Sequence, residues 1–485
     1  MTIKLYNTLT RKKENFKPVE KNKLKIYVCG VTVYDDVHLG HAMTYIYYDM
    51  LINYFKHFQN YNICYVRNIT DVGHMTNDNE SDSSGEDKIE KRATERKVHP
   101  MELVYKYTHN MWKSFDGINL DRPDIEPCAS AHILEMQEWI KKMLKNGFAY
   151  EVNGSIYYDI SKFSDYGKFS NNNVEEMLKD TRFKNDKGKK HAGDFALWIK
   201  AGPTHILKWQ SPWGEGYPGW HLECSVMGTK YLGDNFDIHG GGIEHLFPHH
   251  ENEIAQNFGY FQKKVVNYWV HTALLMVDGQ KMGKSKGNFI TIEDFLKTHT
   301  PEALRYLILS GHYRKPQNYT ETSIKDAENA VERLNNFIYR LQEVRNEKDT
   351  KFGEAIIENT ITNFEKTMDD DLNTPAAWAE IFFLVKETNK LIDANKLNVV
   401  EAEKILEFLK KINLVFKVFT FNKDNEVCKP KKPRMQEPEI LEQIKKRKEL
   451  RDKKKWEEAD IIRMNLQKKG VTLFDNKDGT TWRYE

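Results

Sequence analysis

Apolar positions along the chain follow two periods in turn. Residues 24–29 (LKIYVC) form a short, β-rich run that stops at Gly30. The stretch AMTYIYYDMLINYFKHF then sets Ala42, Ile46, Met50 and Phe55 close to one helical face. NICYVRNI (62–69) reads as a second strand. Strand, helix and strand in such close succession predict a βαβ unit, and so a parallel sheet with a right-handed crossover. The polar, acidic stretch TNDNESDSSGED (76–87) predicts an exposed loop. From about residue 120 to 210 the pattern changes to a short strand-like run (SIYYDI, 155–160), loops rich in Gly, Lys and Asp, and Trp-bearing segments (DFALWIK, KWQSPWG). These features predict an inserted module. Strand signals return at FDIHGGG (236–242) and NYWVHTALLMV (267–277), where the parallel sheet is expected to resume.

Beyond residue 320 the period becomes helical. In IKDAENAVERLNNFIYRLQEV the residues Ala327, Val331, Leu334, Ile338 and Leu341 keep a three-to-four spacing. A second helix is expected to start at Asn373-Thr374-Pro375, where a capping residue precedes proline in the first turn. A third candidate runs from Val400 to Phe419. The segment CKPKKPRMQEPE (428–439) carries three prolines and a charge run, which predicts a linker before a small basic domain. There is no internal repeat.

Composition narrows the picture. The 485 residues allow roughly three domains at about 150 residues each, and 40% hydrophobic content suits a folded, water-soluble protein. Lys+Arg 73 against Asp+Glu 71 gives +2, which by itself names no partner. The distribution is more informative: between Lys431 and Gly470, 14 basic residues face 8 acidic ones, a local +6 that leaves −4 elsewhere. No run approaches the roughly 18 apolar residues of a membrane helix, so no membrane partner is expected. The start, MTIKLYNTLTRKKENFKP, lacks the apolar core of a secretory signal. Five scattered cysteines (Cys29, Cys64, Cys128, Cys224, Cys428) argue against a disulfide framework and for a cytoplasmic setting.

Three segments could carry chemistry. His38-Leu39-Gly40-His41 lies between a strand and a helix, where free N–H groups and the positive dipole end suit phosphate. Gly40 would admit a close backbone approach, and two imidazoles at i and i+3 could donate to phosphate oxygens as charge builds. Two ordinary surface histidines near a turn have the same spacing. Lys281-Met282-Gly283-Lys284-Ser285 resembles a phosphate loop, yet the position of the first Walker glycine holds Asp278, and no G-x-G-x-x-G follows the first strand. What remains is a glycine-bearing loop with Lys281, Lys284 and Lys286, fit for a polyphosphate or simply solvated. In FPHHENE, His249 and Glu253 point the same way at i, i+4. Ile254 replaces the second histidine of a zincin, which excludes that metalloprotease site. Cys29 and Cys224 are available as soft ligands for a tetrahedral zinc, although buried inert thiols are also common.

Taken together, the segments resemble the cysteinyl-tRNA synthetase family of class I aminoacyl-tRNA synthetases. HLGH (38–41) and KMGKS (281–285) are similar to the two class signatures, in the expected order. YVCGVTVYDDVHLGHA (27–42), VRNITDVG (66–73), DFALWIK (194–200), SPWGEGYPGWHLECSVM (211–227), FDIHGGGIEHLFPHHENEIAQ (236–256) and DDDLNTPAAWAE (369–380) are similar to family-specific blocks. The resemblance extends over about three quarters of the chain. It implies an α/β fold: a Rossmann-like parallel-sheet catalytic domain (1–120 and 211–275) with an inserted acceptor-end connective module (121–210). A lysine-loop segment (276–320), an α-helical tRNA-binding bundle (321–420), a linker (421–439) and a small basic anticodon-binding domain (440–485) would follow.

The resemblance further implies cysteine activation by ATP with Mg2+, then transfer to the 3′ end of tRNA(Cys) by a cytoplasmic monomer. One Zn2+ per chain would sit on Cys29, Cys224, His249 and Glu253, with His249 rather than His250 as ligand, and would hold the substrate thiolate. His38, His41, Lys281 and Lys284 would be catalytic. The same residues with Gly40 and Ser285 would bind ATP, and Thr70, Trp220 and His239 would line the L-cysteine pocket. Three positions depart from the family pattern: Gly283 for the usual Ser, Met43 for a common Arg, and Tyr217 where GRPGW is expected. The competing readings are a cysteine ligase acting on an amino sugar, which would need no C-terminal tail, and a catalytically silent RNA-binding relative.

Overall fold

The N-terminal hairpin of β1 (Lys4–Asn7) and β2 (Lys12–Asn15) leads into β3 (Lys23–Val28), the apolar run expected from the sequence. The computed structural model describes residues 2–75, 87–172, 188–283, 286–348, 351–421, 437–453, 455–468, 471–476 and 479–484. Nearly all of the acidic loop and of the linker, together with Lys284 and Ser285, lie outside the described residues. The chain divides into two compact units, Met1–Arg333 with Arg345–Phe419, and Leu334–Val344 with Thr420–Glu485.

In the larger unit β3 pairs in parallel with β4 (Asn62–Arg67) on one side and β9 (Phe236–Gly242) on the other, and β9 pairs in parallel with β10 (Val266–Thr272). The order β10–β9–β3–β4 places the first strand in the middle, with its chain neighbours leaving in opposite directions. The gap between the carboxyl ends of β3 and β9 is therefore a topological switch point, where open parallel sheets form their ligand crevice. Covered faces show in the burial of both strands: Leu24 and Ile26–Val28 of β3 are buried, and so is every residue of β9, Asp237 and His239 included. Gly240 belongs to that logic: a Cβ there would lie 2.2 Å from the Tyr48 hydroxyl, which donates to the Val270 carbonyl at 2.7 Å.

The crossover helix Leu39–His57 was expected to bury one face. It is buried around nearly its whole circumference, including Asp49 and Asn53. The reason is that helices cover it on the side away from the sheet: it packs against both Pro301–Leu309 and Val399–Phe416. Burial of Asp49 is compensated by Arg305 Nη2 at 2.6 Å and Lys417 Nζ at 2.9 Å. Arg305, fully buried, also donates to the Phe416 carbonyl at 2.7 Å.

The segment between β4 and β9 carries an antiparallel sheet of β5 (Ala149–Val152), β6 (Ser155–Tyr158), β7 (Phe195–Lys200) and β8 (Gly216–Pro218). NYWVHTALLMV, expected as one stretch of sheet, is split into β10 and β11 (Leu275–Val277). The latter joins β12 (Gln280–Lys281) and β13 (Gln317–Tyr319) in a separate three-stranded sheet. Helices Glu354–Asp369, Thr374–Asp393 and Val399–Phe416 follow. Asn373 caps the second as expected, its side chain accepting from the Ala376 amide at 3.4 Å.

The smaller unit contains helices Glu437–Asp452 and Trp456–Lys468 and a hairpin of β14 (Val471–Asn476) with β15 (Gly479–Tyr484). Ile440, Leu466, Val471 and Leu473 form its core, with Ile444, Ile462 and Trp482 packed against them. No described helix is long and apolar enough to cross a membrane.

Candidate active site and metal centre

Immediately after β3, Cys29 is delivered to the switch point, and Gly30 lets the chain turn there. A Cβ on Gly30 would fall 1.5 Å from the Asn68 carbonyl oxygen, so any side chain would force β3 and β4 apart. Helix Trp220–Leu232 brings Cys224 to the same place, with the two Sγ atoms 3.7 Å apart. Helix Glu251–Phe261 and the turn before it contribute Glu253, His249 and His250. His249 Nε2 is 3.0 Å from Glu253 Oε1, as the i, i+4 spacing anticipates. Cys29 Sγ lies 3.2 Å from His250 Nε2 and 3.7 Å from Glu253 Oε1. Ligand atoms of Cys29, His249, His250 and Glu253 all lie within 4.8 Å of one another, and all four residues are buried.

Burial raises the Cys29 thiol, and it would also raise Glu253; His239 and His249 overcome it and hold that carboxyl well below its usual range. His249 moves the other way, burial opposing but the charges of Glu253 and Cys224 favouring its cationic form. Glu253 Oε2 accepts no hydrogen bond among the described residues, although His239 Nε2 is 3.3 Å away. A buried carboxylate oxygen so placed, beside two thiols and two imidazoles, fits a borderline-soft cation such as zinc. The imidazoles are held from behind. His249 Nδ1 meets His221 Nδ1 at 2.9 Å, and His250 Nδ1 meets His271 Nε2 at 2.8 Å. Such outer partners fix ring orientation around a metal.

His221 and His271 were not singled out from the sequence, and His250 was set aside there for His249 because the family resemblance implies the latter. Nothing local marks the other two, because their partners are distant in the chain.

Beside the cluster a cavity of about 320 Å³ opens, lined by Cys29, His249 and Trp220 and also by His38, His41 and Lys281. The Trp220 ring is stacked between His74, at 4.0 Å, and His249, at 4.2 Å. His239 stacks on Tyr27 and faces Cys29 Sγ at 3.5 Å, on the cluster side rather than the cavity wall. Thr70 is buried and accepts from Asn68 Nδ2 at 3.0 Å; it is not part of the cavity lining.

His38 caps the crossover helix. Its Nδ1 accepts from the Gly40 amide at 3.1 Å, and His41 Nδ1 accepts from the His38 amide at 3.3 Å. With both Nδ1 atoms accepting, the neutral rings carry their protons on Nε2, so each has one donor left to offer. Burial lowers His38 to about 4, and burial with the neighbouring His38 and His245 holds His41 well below its ordinary value. Gly40 is required for this stacked pair, since a Cβ would stand 2.9 Å from the His38 ring and 3.3 Å from Met282. Lys281 ends β12 at the cavity wall. Gly283, in place of serine, donates its amide to Asn288 Oδ1 at 2.9 Å. Of the other departures, Met43 is fully buried in the crossover helix, and Tyr217 stacks on His205 at 4.2 Å.

Residues 15–329 match a family described as the class I (C) tRNA synthetase catalytic domain, 363–420 match a DALR domain, and 437–483 match a cysteinyl-tRNA ligase anticodon binding domain. A cysteine--tRNA ligase of Thermococcus gammatolerans is 40% identical over 492 residues, covering 100% of this chain and 99% of the relative. One from Haemophilus influenzae strain 86-028NP is 42% identical over 489 residues, covering 99% of each. Among solved structures, a Mycobacterium tuberculosis methionyl-tRNA synthetase bound by methionyl-adenylate shares the fold, with TM-score 0.59 at 12% identity over 81% of this chain and 92% of that one. A LeuRS–tRNA–LeuAMS ternary complex of Agrobacterium radiobacter K84 gives 0.60 at 12% identity, over 83% and 85%.

Proposed function

The chain belongs to the cysteine--tRNA ligase family of class I aminoacyl-tRNA synthetases, and from that premise we propose how its own residues divide the work. One observation carries the proposal: a buried S, N, O donor cluster and a pair of Nε2-protonated histidines open on the same cavity. Cys29, Cys224, His249 and Glu253 would hold zinc, with His250 Nε2 within the same group of donors, 3.2 Å from Cys29 Sγ. When bound, zinc supplies a soft acceptor for the substrate thiolate, which separates cysteine from serine far better than the 1–3 kcal/mol typical of pocket shape alone.

Trp220, held between two imidazoles, forms a rigid wall for the amino acid. With the thiol fixed at the cluster, the substrate carboxylate is free to attack the α-phosphorus of ATP. A carboxylate oxygen–phosphorus bond forms, the bond to the β-phosphate oxygen breaks, and pyrophosphate leaves with its magnesium. His38 and His41 donate from Nε2 to the phosphates, and Lys281, with Lys284 and Ser285 of the same loop, balances the charge that builds there. This is positioning and electrostatics rather than covalent catalysis. In the second step the terminal ribose hydroxyl of tRNA(Cys) attacks the adenylate carbonyl carbon and AMP departs. Thr70 and His239 act behind the pocket, supporting β4 and the cluster. Residues 440–485 read the anticodon, an assignment supported by the match over 437–483. That match also disfavours an amino-sugar acceptor, and the retained His41, Cys29 and Glu253 disfavour a silent RNA-binding role. The reading takes a cytoplasmic monomer as the working unit, since one chain supplies every group named.

ATP–pyrophosphate exchange with each of the twenty amino acids tests it. Exchange is expected with cysteine alone, lost on zinc removal and restored by zinc, with serine inactive throughout. Absence of exchange with every amino acid, from folded and metal-loaded protein, overturns the activation step.

A further inference from the structure

The ring stack that holds Trp220 ends, on the side away from the donor cluster, in a cation. Trp220 lines the cavity together with Thr32, His74 and Lys88. The His74 ring lies almost parallel to the indole, 4.0 Å away at 12°. It is held at both nitrogens: Nε2 is 2.9 Å from Lys88 Nζ, and Nδ1 is hydrogen-bonded to Thr32 Oγ1. An ammonium has donors and no acceptor, so His74 Nε2 accepts. The ring proton then sits on Nδ1 and is donated to Thr32. A single neutral tautomer satisfies both contacts, and turning the ring over breaks both.

Lys88 reaches His74 from a fixed base. It opens the helix Lys88–Arg96, whose cap Asp87 accepts through Oδ1 from the Ile89 and Glu90 amides at 2.8 and 3.0 Å. Through Oδ2 the same carboxylate accepts from the Gly73 amide at 3.0 Å, and the Lys88 amide donates to the His74 carbonyl at 2.8 Å. Two further ties hold the helix: Glu90 Oε1 accepts from the Ile206 and Leu207 amides at 2.6 and 2.7 Å, and Arg92 Nη2 meets Asp35 Oδ2 at 3.2 Å. The Lys88 ammonium also lies 5.7 Å from the centre of the Tyr34 ring. Anchored at its base and engaged at its tip, this long side chain has little rotamer freedom left to lose when substrate enters. We propose that Lys88 is a positioning residue for cysteine binding: through His74 it keeps Trp220 in the orientation that forms the wall of the amino-acid pocket. The inference rests on the reading of Trp220 as that wall.

Pyrophosphate exchange by zinc-loaded Lys88→Met is expected to show a KM for cysteine raised about tenfold, with kcat and the KM for ATP within about twofold of the unsubstituted chain. His74→Phe keeps a flat ring and removes both hydrogen bonds. It is expected to raise the same KM, and the double variant to be no worse than the more affected single one. Nitrogen NMR of the imidazoles, with the His74 signals identified by their absence from His74→Phe, is expected to show Nε2 unprotonated in the unsubstituted chain and altered in Lys88→Met. A proton on Nε2 overturns the proposal, as does an unchanged KM for cysteine in Lys88→Met. Equal rises in the KM for cysteine and for ATP, or additive losses in the double variant, put Lys88 on the substrates themselves and overturn it too. Absence of exchange from the unsubstituted chain defeats the activation step instead, and the nitrogen signals still decide whether Lys88 fixes His74.

Discussion

Single side chains at this site are defined as much by what stands behind them as by what they face. His249 presents Nε2 to Glu253 only because His221 occupies its Nδ1 side. His221→Phe is therefore expected to lower zinc affinity by about 10–100-fold in a chelator competition while thermal unfolding of the metal-free protein barely moves. At the other end of the cavity, the His38 imidazole is expected to titrate near pH 4 by NMR in the free protein. Its ordinary value is 6.5, so between the two the unfolded chain holds more protons and stability rises with pH. The contribution of His38 is complete above pH 6.5 and is lost as pH falls through about 4. The sequence made Cys29, Cys224, His249 and Glu253 legible because a family pattern tied them together, and the i, i+4 spacing independently linked the last two. It set His250 aside for its neighbour His249 and left His221 and His271 unread, since no local period relates them to residues that only the fold brings near.

Elements were most legible where a period and a stop signal coincided. Phe236–Gly242 was read with its bounds, and Asn373 with its proline marked a helix start. The crossover helix was read correctly as a helix and incompletely as a face, because two-sided burial erases amphipathicity. Its buried Asp49 explains how such a helix is tolerated. The Asp49–Arg305–Lys417 group ties it to the helical layer, and Arg305 alone donates to Asp49 and to three backbone carbonyls. Arg305→Met is expected to destabilise the larger unit by about 3–5 kcal/mol, read as a lowered midpoint in urea denaturation, because it strands carboxylate and carbonyl oxygens away from water. The reverse change at a surface pair such as Lys113–Glu293 is expected to leave that midpoint within experimental scatter, since exposed pairs contribute about 0–1 kcal/mol.

Across the whole molecule the two units carry different charge and different tasks. A chain ending at residue 421 keeps the sheet, the donor cluster and the cavity beside it. It is expected to retain cysteine-dependent pyrophosphate exchange while losing at least tenfold in kcat/KM for tRNA charging. The salt dependence of charging should flatten in the same chain, as the basic segment 431–470 no longer displaces counterions from RNA. The donor cluster has a further consequence, one of order in time. Cys29 and Cys224 are 195 residues apart, and Cys29 and Glu253 are 224 apart. During synthesis the first thiol emerges early and waits until nearly half of the chain has followed before its partners exist. A metal that requires the full set is therefore captured only after β9 has closed against β3. Its uptake then works as a clasp, fastening a sheet whose middle strand was made first and whose pairing across the switch point is made late.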